Sequence, residues 1–310
     1  MINVFVDGSA GTTGLRILDR LEHRRDLRLI RIPEEFRKDP AARLEAMNRS
    51  DVIFLCLPDD AAVEAVGMLG DAKGTVIDTS TAHRTSPGWV YGFPELTGQR
   101  EKLRHADRIA NPGCHASGFI ALIAPLTERG ILSPDASLSC FSLTGYSGGG
   151  KKMIAGYESD ERDPLLDAPR LYGLSQTHKH LPEMRLYTRL RSAPVFCPIV
   201  ASYYAGMEVT VPLTGEEISG GIQAIRDAYR ETYRTGLIRY AEAADEDGFL
   251  SANRFRGRDD MQVTVVGNEE RLLLVARFDN LGKGASGAAI QNMNLSLGLP
   301  EAEGLVLGDE

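Results

Sequence analysis

Apolar residues fall in short clusters along the first third of the chain, separated at nearly regular intervals by polar or glycine-rich stretches. Residues 2–6 (INVFV) form an almost continuous apolar run, the pattern of a parallel strand buried on both faces. Leu15, Leu18 and Leu21 share one stripe of a helix over residues 15–21. The pattern then predicts a strand at 26–32, a helix at 39–47, a strand at 51–57 (DVIFLCL) ending at Pro58, a helix at 60–69 and a strand at Thr75–Asp78. Strands and helices alternating at this spacing predict a right-handed parallel α/β sheet.

Further along, the rhythm changes. Residues 119–126 read as an apolar helix ending before Gly130, and 220–236 as a helix with Ile222, Ile225, Tyr229 and Tyr233 on one face. Strand-like segments occupy 138–143, 195–204, 208–213, 261–266 and Arg271–Phe278.

Composition narrows the class. The chain has 310 residues, 43% hydrophobic and 25% charged, enough for two domains with buried cores and unlike a disordered chain. Lys and Arg total 35 against 43 Asp and Glu, a net charge of −8. That balance disfavours sequence-independent binding to nucleic acid or to an anionic membrane. No apolar run approaches the ~18–20 residues that span a bilayer, and the first residues lack a basic signal-peptide lead. The expectation is a cytoplasmic protein.

Gly8, Gly11 and Gly14, with Ser9, Thr12 and Thr13 between them, lie between the first strand and the first helix. There, backbone amides and the helix dipole favour an anion, as in dinucleotide sites. At the end of the second strand, Arg31, Glu34, Glu35, Arg37 and Lys38 mix both signs, so the choice between NAD and NADP is open at this point. The loop after the fourth strand carries His83 and Arg84 at the sheet edge where such folds bind ligands. Residues 144–152, including Ser147, Lys151 and Lys152, form a glycine-rich basic stretch able to wrap a charged ligand or simply to connect elements.

The four cysteines separate by context. Cys56, Cys140 and Cys197 lie in strand-like apolar runs, ordinary places for buried thiols. Cys114 follows Asn111-Pro112-Gly113 at a turn opening a helix, where the thiolate is favoured. Of six histidines, His178 and His180 cluster before a helix starting near Pro182, suited to acid–base work. An H-x-H pair also serves as a metal site, but no third ligand is evident nearby, and the expectation is no metal.

Taken in order, the glycine loop, residues 78–84, Tyr91-Gly92-Phe93-Pro94-Glu95-Leu96, Asn111-Pro112-Gly113-Cys114, residues 147–152, the H-K-H-L-P-E segment at 178–183 and residues 288–295 resemble the N-acetyl-γ-glutamyl-phosphate reductases of shorter subtype, from residue 2 to about 298. The resemblance implies a Rossmann-type domain of residues 1–113 plus 286–310 and an α+β catalytic domain of 114–285 with a largely antiparallel sheet. A C-terminal helix at about 284–298 would rejoin the first domain. It implies NADPH-dependent reduction of N-acetylglutamyl 5-phosphate, with release of inorganic phosphate, through a thioester on Cys114. His180, or His178, would be the acid–base group. Arg84, Asn111, Ser147, Lys151 and Lys152 would serve the acyl phosphate, and Gln291 and Asn292 the nicotinamide. A homodimer or homotetramer is expected by analogy. His115 stands where longer members often carry an aromatic residue, and its role is open. The alternatives are a related enzyme acting on aspartyl or N-acetyl-aminoadipyl phosphate, and a non-catalytic NADP sensor.

Overall fold

In the computed structural model, which describes residues 1–70 and 74–308, the alternating pattern becomes β1 (Ile2–Asp7), α1 (Thr12–Leu21), β2 (Leu27–Ile30), α2 (Pro40–Asn48), β3 (Val52–Leu55), α3 (Asp59–Leu69), β4 (Thr75–Asp78), β5 (Val90–Tyr91), α4 (Gln99–Arg104) and β6 (Arg108–Ala110). The strands pair in parallel in the order β2-β1-β3-β4-β6-β5. A parallel sheet is covered on both faces, which is why β3 reads VIFL with all four side chains buried. Because β2 lies on one side of β1 and β3 on the other, the loop leaving β1 opens at the topological switch point, the ligand position of such sheets. The hydrophobic pattern did not announce β5, α4 or β6, whose two to six residues are too short for a period to show.

The next stretch supplies α5 (Cys114–Glu128), β7 (Ser139–Gly145), α6 (Gly150–Tyr157), β8 (Arg170–Leu171), α7 (Leu181–Thr188), β9 (Val195–Ala201), β10 (Met207–Thr214), α8 (Gly221–Thr232), β11 (Ile238–Tyr240), β12 (Met261–Gly267) and β13 (Arg271–Phe278). They build a seven-stranded sheet in the order β11-β12-β13-β10-β7-β9-β8. β11 with β12 and β7 with β9 are parallel, and the other neighbours are antiparallel.

Helix α5 is the spine of this unit, buried from His115 to Thr127. It approaches the sheet closely at Gly118, where a Cβ would lie 2.5 Å from the Val209 side chain. Pro125 within α5 cannot donate to the Ala121 carbonyl. The Tyr233 hydroxyl donates to that carbonyl at 2.5 Å instead, and Tyr229 donates to the Leu122 carbonyl at 2.7 Å.

A π-helical turn at Gly282–Ser286 precedes α9 (Gly287–Ser296). Ala289, Ile290, Met293 and Leu295 of α9 share one apolar cluster with Val4, Ile17, Phe54 and Ile77. The chain thus divides into two compact units, Met1–Pro112 with Ala285–Leu305, and Gly113–Gly284 with the tail from Val306. The sequence reading kept that tail with the first unit. Instead, the Asp259 N–H donates to the Val306 carbonyl at 2.7 Å and the Val306 N–H to Asp259 Oδ2 at 2.9 Å. Residues 309 and 310 of the expected range lie outside the described residues. No helix among the described residues is long and apolar enough to cross a membrane.

Candidate active site

In the first unit, β1 ends at Asp7 and α1 begins at Thr12, so the chain must turn within four residues. Gly8 has φ +81°, and a Cβ there would sit 2.2 Å from the Cys56 carbonyl oxygen. A Cβ on Gly14 would sit 2.7 Å from the Gly8 carbonyl oxygen. Both positions demand glycine, the first for its backbone region and the second for close packing of α1 on the turn. Gly11 is different: its φ is −76° and the nearest atom to a Cβ would be 3.5 Å away. No side chain caps α1, so its first-turn amides at Thr12, Thr13 and Gly14 present donors and the positive dipole end to an anion.

Beside this turn lies a cleft of about 510 Å³ lined by Gly8, Ser9 and Ala10 and, from the segment after β2, by Arg31, Arg37 and Lys38. Arg31 pairs with Glu22 at 2.6 Å and Arg37 with Glu34 at 3.0 Å. An amide cradle that a Cβ would fill, with cations lining the same cleft, fits a dinucleotide phosphate.

Four residues expected to meet ligands are engaged within the first unit. Arg84 is buried and donates through Nε to the Asn111 carbonyl at 2.9 Å and through Nη2 to the Thr79 carbonyl at 3.1 Å. The Asn111 Nδ2 donates to the Ala285 carbonyl at 3.0 Å, and its Oδ1 accepts from Asn292 Nδ2 at 3.1 Å. Asn292 Nδ2 also donates to the Gly92 carbonyl, and Gln291 Nε2 donates to Glu95 and Glu301. Arg84, Asn111 and Asn292 thereby brace the turn leading into Pro112, and Gln291 ties α9 to the Glu95 and Glu301 carboxylates. Asn292 Oδ1, buried with no hydrogen-bond partner, is the atom of this group that can still accept from a ligand. His83 Nδ1 lies 2.7 Å from the buried Asp78 carboxylate, and its ring stacks on Trp89.

In the second unit, Cys114 is the first residue of α5 and is half-buried. Gly113 precedes it as an uncapped N-cap. Its N–H donates to Glu183 Oε2 at 3.1 Å, and its carbonyl accepts from Ser117 Oγ at 3.0 Å. Glu183 lies in the first turn of α7, and His180 is the residue at that helix's N-cap position. The spacing of His180 and Glu183 therefore sets both at the start of α7, and Glu183 ties α7 to the turn that holds the thiol. Gly284 lies opposite, where a Cβ would come within 3.0 Å of Cys114 Cβ.

Around this point stands a cluster of rings. The His115 ring centroid is 5.6 Å from His178, 5.5 Å from His180 and 5.3 Å from Phe196, and His178 and His180 are 4.7 Å apart. The His180 backbone N–H donates to His178 Nδ1 at 3.2 Å. Burial first, and the charge of His178 second, hold His115 down to a pKa of about 3, so it is neutral at physiological pH. Burial, with the Cys114 charge adding to it, pushes the Tyr172 hydroxyl upward. The sequence reading missed Tyr172 and gave Glu183 no task. The i, i+3 spacing from His180 was the available signal for Glu183, whereas Tyr172 comes into place only when β8 pairs with β9.

The glycine-rich stretch at 144–152 is not an open loop. It forms a 3₁₀ turn at Tyr146–Gly149 leading into α6. Ser147 is fully buried and accepts from Asn280 Nδ2 at 3.0 Å, so it braces this turn, while Lys151 and Lys152 are exposed. Among the other thiols, Cys56 is pushed up to about 12 by burial, and Cys140 is pushed up by burial as well. Among the described residues, no group of three or more His, Cys, Asp or Glu is arranged to hold a metal.

Residues 3–106 match the family described as semialdehyde dehydrogenase, NAD binding domain, and residues 114–280 match semialdehyde dehydrogenase, dimerisation domain. The chain is 44% identical to N-acetyl-gamma-glutamyl-phosphate reductase 2 of Nostoc sp., over 97% of this chain and 98% of the relative. It is 42% identical to the reductase 2 of Pseudomonas putida, over 97% and 98%. Among solved structures, aspartate semialdehyde dehydrogenase II of Vibrio cholerae superposes with a TM-score of 0.71 at 17% identity, covering 96% of this chain and 98% of that one. The aspartate semialdehyde dehydrogenase of Candida albicans, solved with NADP, superposes with a TM-score of 0.69 at 14% identity over 96% and 99%. At those identities the likeness concerns the fold.

Proposed function

The chain belongs to the N-acetyl-γ-glutamyl-phosphate reductase family of semialdehyde dehydrogenases, and from that premise we propose that it reduces N-acetyl-L-glutamyl 5-phosphate to N-acetyl-L-glutamate 5-semialdehyde with NADPH, a step of arginine biosynthesis. The observation that carries this reading is Cys114 at the start of α5, next to a cluster of His115, His178 and His180.

Cys114 Sγ, held as thiolate by the helix start, attacks the acyl-phosphate carbonyl. The C–O bond to phosphate breaks, inorganic phosphate leaves, and a thioester remains on Cys114. The first-turn amides of α5 donate to the oxyanion that forms during attack. A nicotinamide held by the first unit would supply the hydride for reduction of the thioester carbon. His180, with His178 as the alternative, gives a proton to the carbonyl oxygen and takes it back as the C–S bond breaks, releasing aldehyde and thiolate.

The residues that would hold NADPH are the amides of 8–14, Ser9, Thr12 and Thr13, with Arg31, Arg37 and Lys38 suited to a 2′-phosphate. Lys151 and Lys152 are the cations suited to attract the acyl phosphate. A homodimer or homotetramer accords with the match to a dimerisation domain, and a cytoplasmic location accords with a biosynthetic role.

The test is phosphate-dependent reduction of NADP by N-acetylglutamate semialdehyde, with aspartate semialdehyde and the N-acetyl-aminoadipate analogue in parallel. Preference for the glutamate compound supports the assignment. Faster turnover of another semialdehyde, or full activity in Cys114→Ser, would overturn it.

A further inference from the structure

Opposite in sign to the chain as a whole, a cleft of about 490 Å³ in the second unit is lined by Arg230, Arg234 and Arg239 and, among the described residues, by no carboxylate. It lies where the chain turns from α8 to β11. Guanidiniums lining one space repel one another unless negative charge lies between them. Arg230 donates to Asp227 at 2.8 Å and to Glu242 at 2.9 Å, and Arg239 is also engaged. Arg234 is exposed and makes no hydrogen bond or ion pair among the described residues. A cation at the C-terminal end of α8 steadies the helix dipole, which explains Arg230 in the last turn but leaves Arg234 without a task.

The backbone of the same turn is equally unspent. The Tyr233 N–H donates to the Tyr229 carbonyl at 2.9 Å and closes α8. The next N–H groups, of Arg234, Thr235, Gly236 and Leu237, donate to no acceptor among the described residues. Gly236, at φ +102°, turns the chain within this run. Successive unbonded amides in a turn form a concavity suited to an anion. Tyr240 also lines the cleft, and its hydroxyl is shielded from water with no hydrogen-bond partner. The frame around these groups is fixed. Tyr233, on the cleft wall, donates to the Ala121 carbonyl of α5, and β11 pairs with β12.

Amides, guanidinium and hydroxyl can all donate, and what they lack in common is an acceptor. A phosphate group offers three oxygens to such a set and a charge of about −1.5 to −2 near neutrality, where a carboxylate offers two oxygens and one charge. We propose that the α8–β11 turn is a binding site for a phosphate group, taken by the 234–237 amides, the Arg234 guanidinium and the Tyr240 hydroxyl. Arg230 and Arg239 add positive charge around it. A cleft of this volume has room for a phosphate ester as well as for inorganic phosphate. The site is independent of Cys114 and of the reaction proposed above.

Hydrogen–deuterium exchange, read by mass spectrometry on peptides spanning 233–240, tests the site locally. The probes are inorganic phosphate and phenyl phosphate, with sodium chloride at matched ionic strength as control. Unbonded amides exchange fast, so each phosphate probe should slow this segment about tenfold near saturation, and chloride should not. Half-maximal slowing at a lower concentration of phenyl phosphate assigns the cleft to an ester; an equal or higher one assigns it to free phosphate. Arg234→Ala, at an exposed position, should raise the half-maximal concentration about tenfold, since charge-assisted hydrogen bonds are the stronger kind. Tyr240→Phe should raise it about threefold. Exchange unchanged by both probes, slowing that chloride reproduces, or slowing that Arg234→Ala leaves intact overturns the site.

Discussion

Two helices in this chain begin with the same backbone device and end in different chemistry. Both α1 and α5 start after a glycine N-cap in extended conformation, with φ −76° at Gly11 and −77° at Gly113, and neither has a side-chain cap. At α1 the N-cap amide is satisfied inside its own loop, by the Gly8 carbonyl at 3.0 Å. The first turn stays half-exposed and offers only amides and hydroxyls. At α5 the N-cap amide is held by Glu183 from another helix, and the first turn carries the Cys114 thiol followed by His115, whose ring packs against Tyr172, His178 and His180. An uncapped helix start is thus a general holder of negative charge; what surrounds it decides whether that charge belongs to a ligand or to the protein's own sulfur.

The sharpest way to separate the two ends is to remove the thiol. Cys114→Ala should lower kcat by about 10⁴-fold or more, as loss of a covalent nucleophile does, while the dissociation constant for NADPH, measured by fluorescence titration, stays within about twofold. Retained turnover would erase the distinction.

The next effect is on stability. The folded-state pKa of His115, about 3, lies below the ordinary 6.5, so the unfolded chain binds the extra proton between those values. Stability from this group is complete above pH 6.5 and is lost as pH falls toward 3, on the order of 4–5 kcal/mol over the whole window. Denaturant unfolding at a series of pH values should show a flatter acid limb in His115→Phe than in the unaltered protein.

Gly8→Ala tests the other end. The added Cβ meets the Cys56 carbonyl in a left-handed backbone region, so it should cost about 3 kcal/mol of stability and most of the NADPH affinity. Cys114 alkylation in the protein that remains folded should be nearly unchanged. The smallest effect belongs to Lys151→Ala and Lys152→Ala. These exposed cations should raise KM for the acyl phosphate by a few-fold and leave kcat alone.

The sequence announced the long apolar elements and the helix starts because hydrophobic period and glycine placement are local properties. Thr75–Asp78 and Arg271–Phe278 fall where the pattern placed them, and Cys114 opens α5 as the turn before it required. Side-chain duties at the site were less legible. Arg84, Asn111, Gln291 and Ser147 look like ligand contacts in a linear motif, and the motif does not show that Arg84 and Asn111 also donate to backbone carbonyls, Gln291 to the Glu95 and Glu301 carboxylates, and that Ser147 accepts from the Asn280 amide. Tyr172 carries no local signal, since β8 brings it 57 positions along the chain to His115. The glycine-rich stretch at 146–150 resembled a binding loop until its backbone closed into helical turns, a choice that composition alone leaves open.

The central claim is that Cys114 is acylated during turnover. Mixing the protein with N-acetylglutamyl 5-phosphate without NADPH, quenching in acid and mapping peptides by mass spectrometry tests it directly. One equivalent of phosphate released per active site, with the acyl group on the Cys114 peptide, is the expected result. No phosphate burst, or an acyl group carried by another residue, would contradict it.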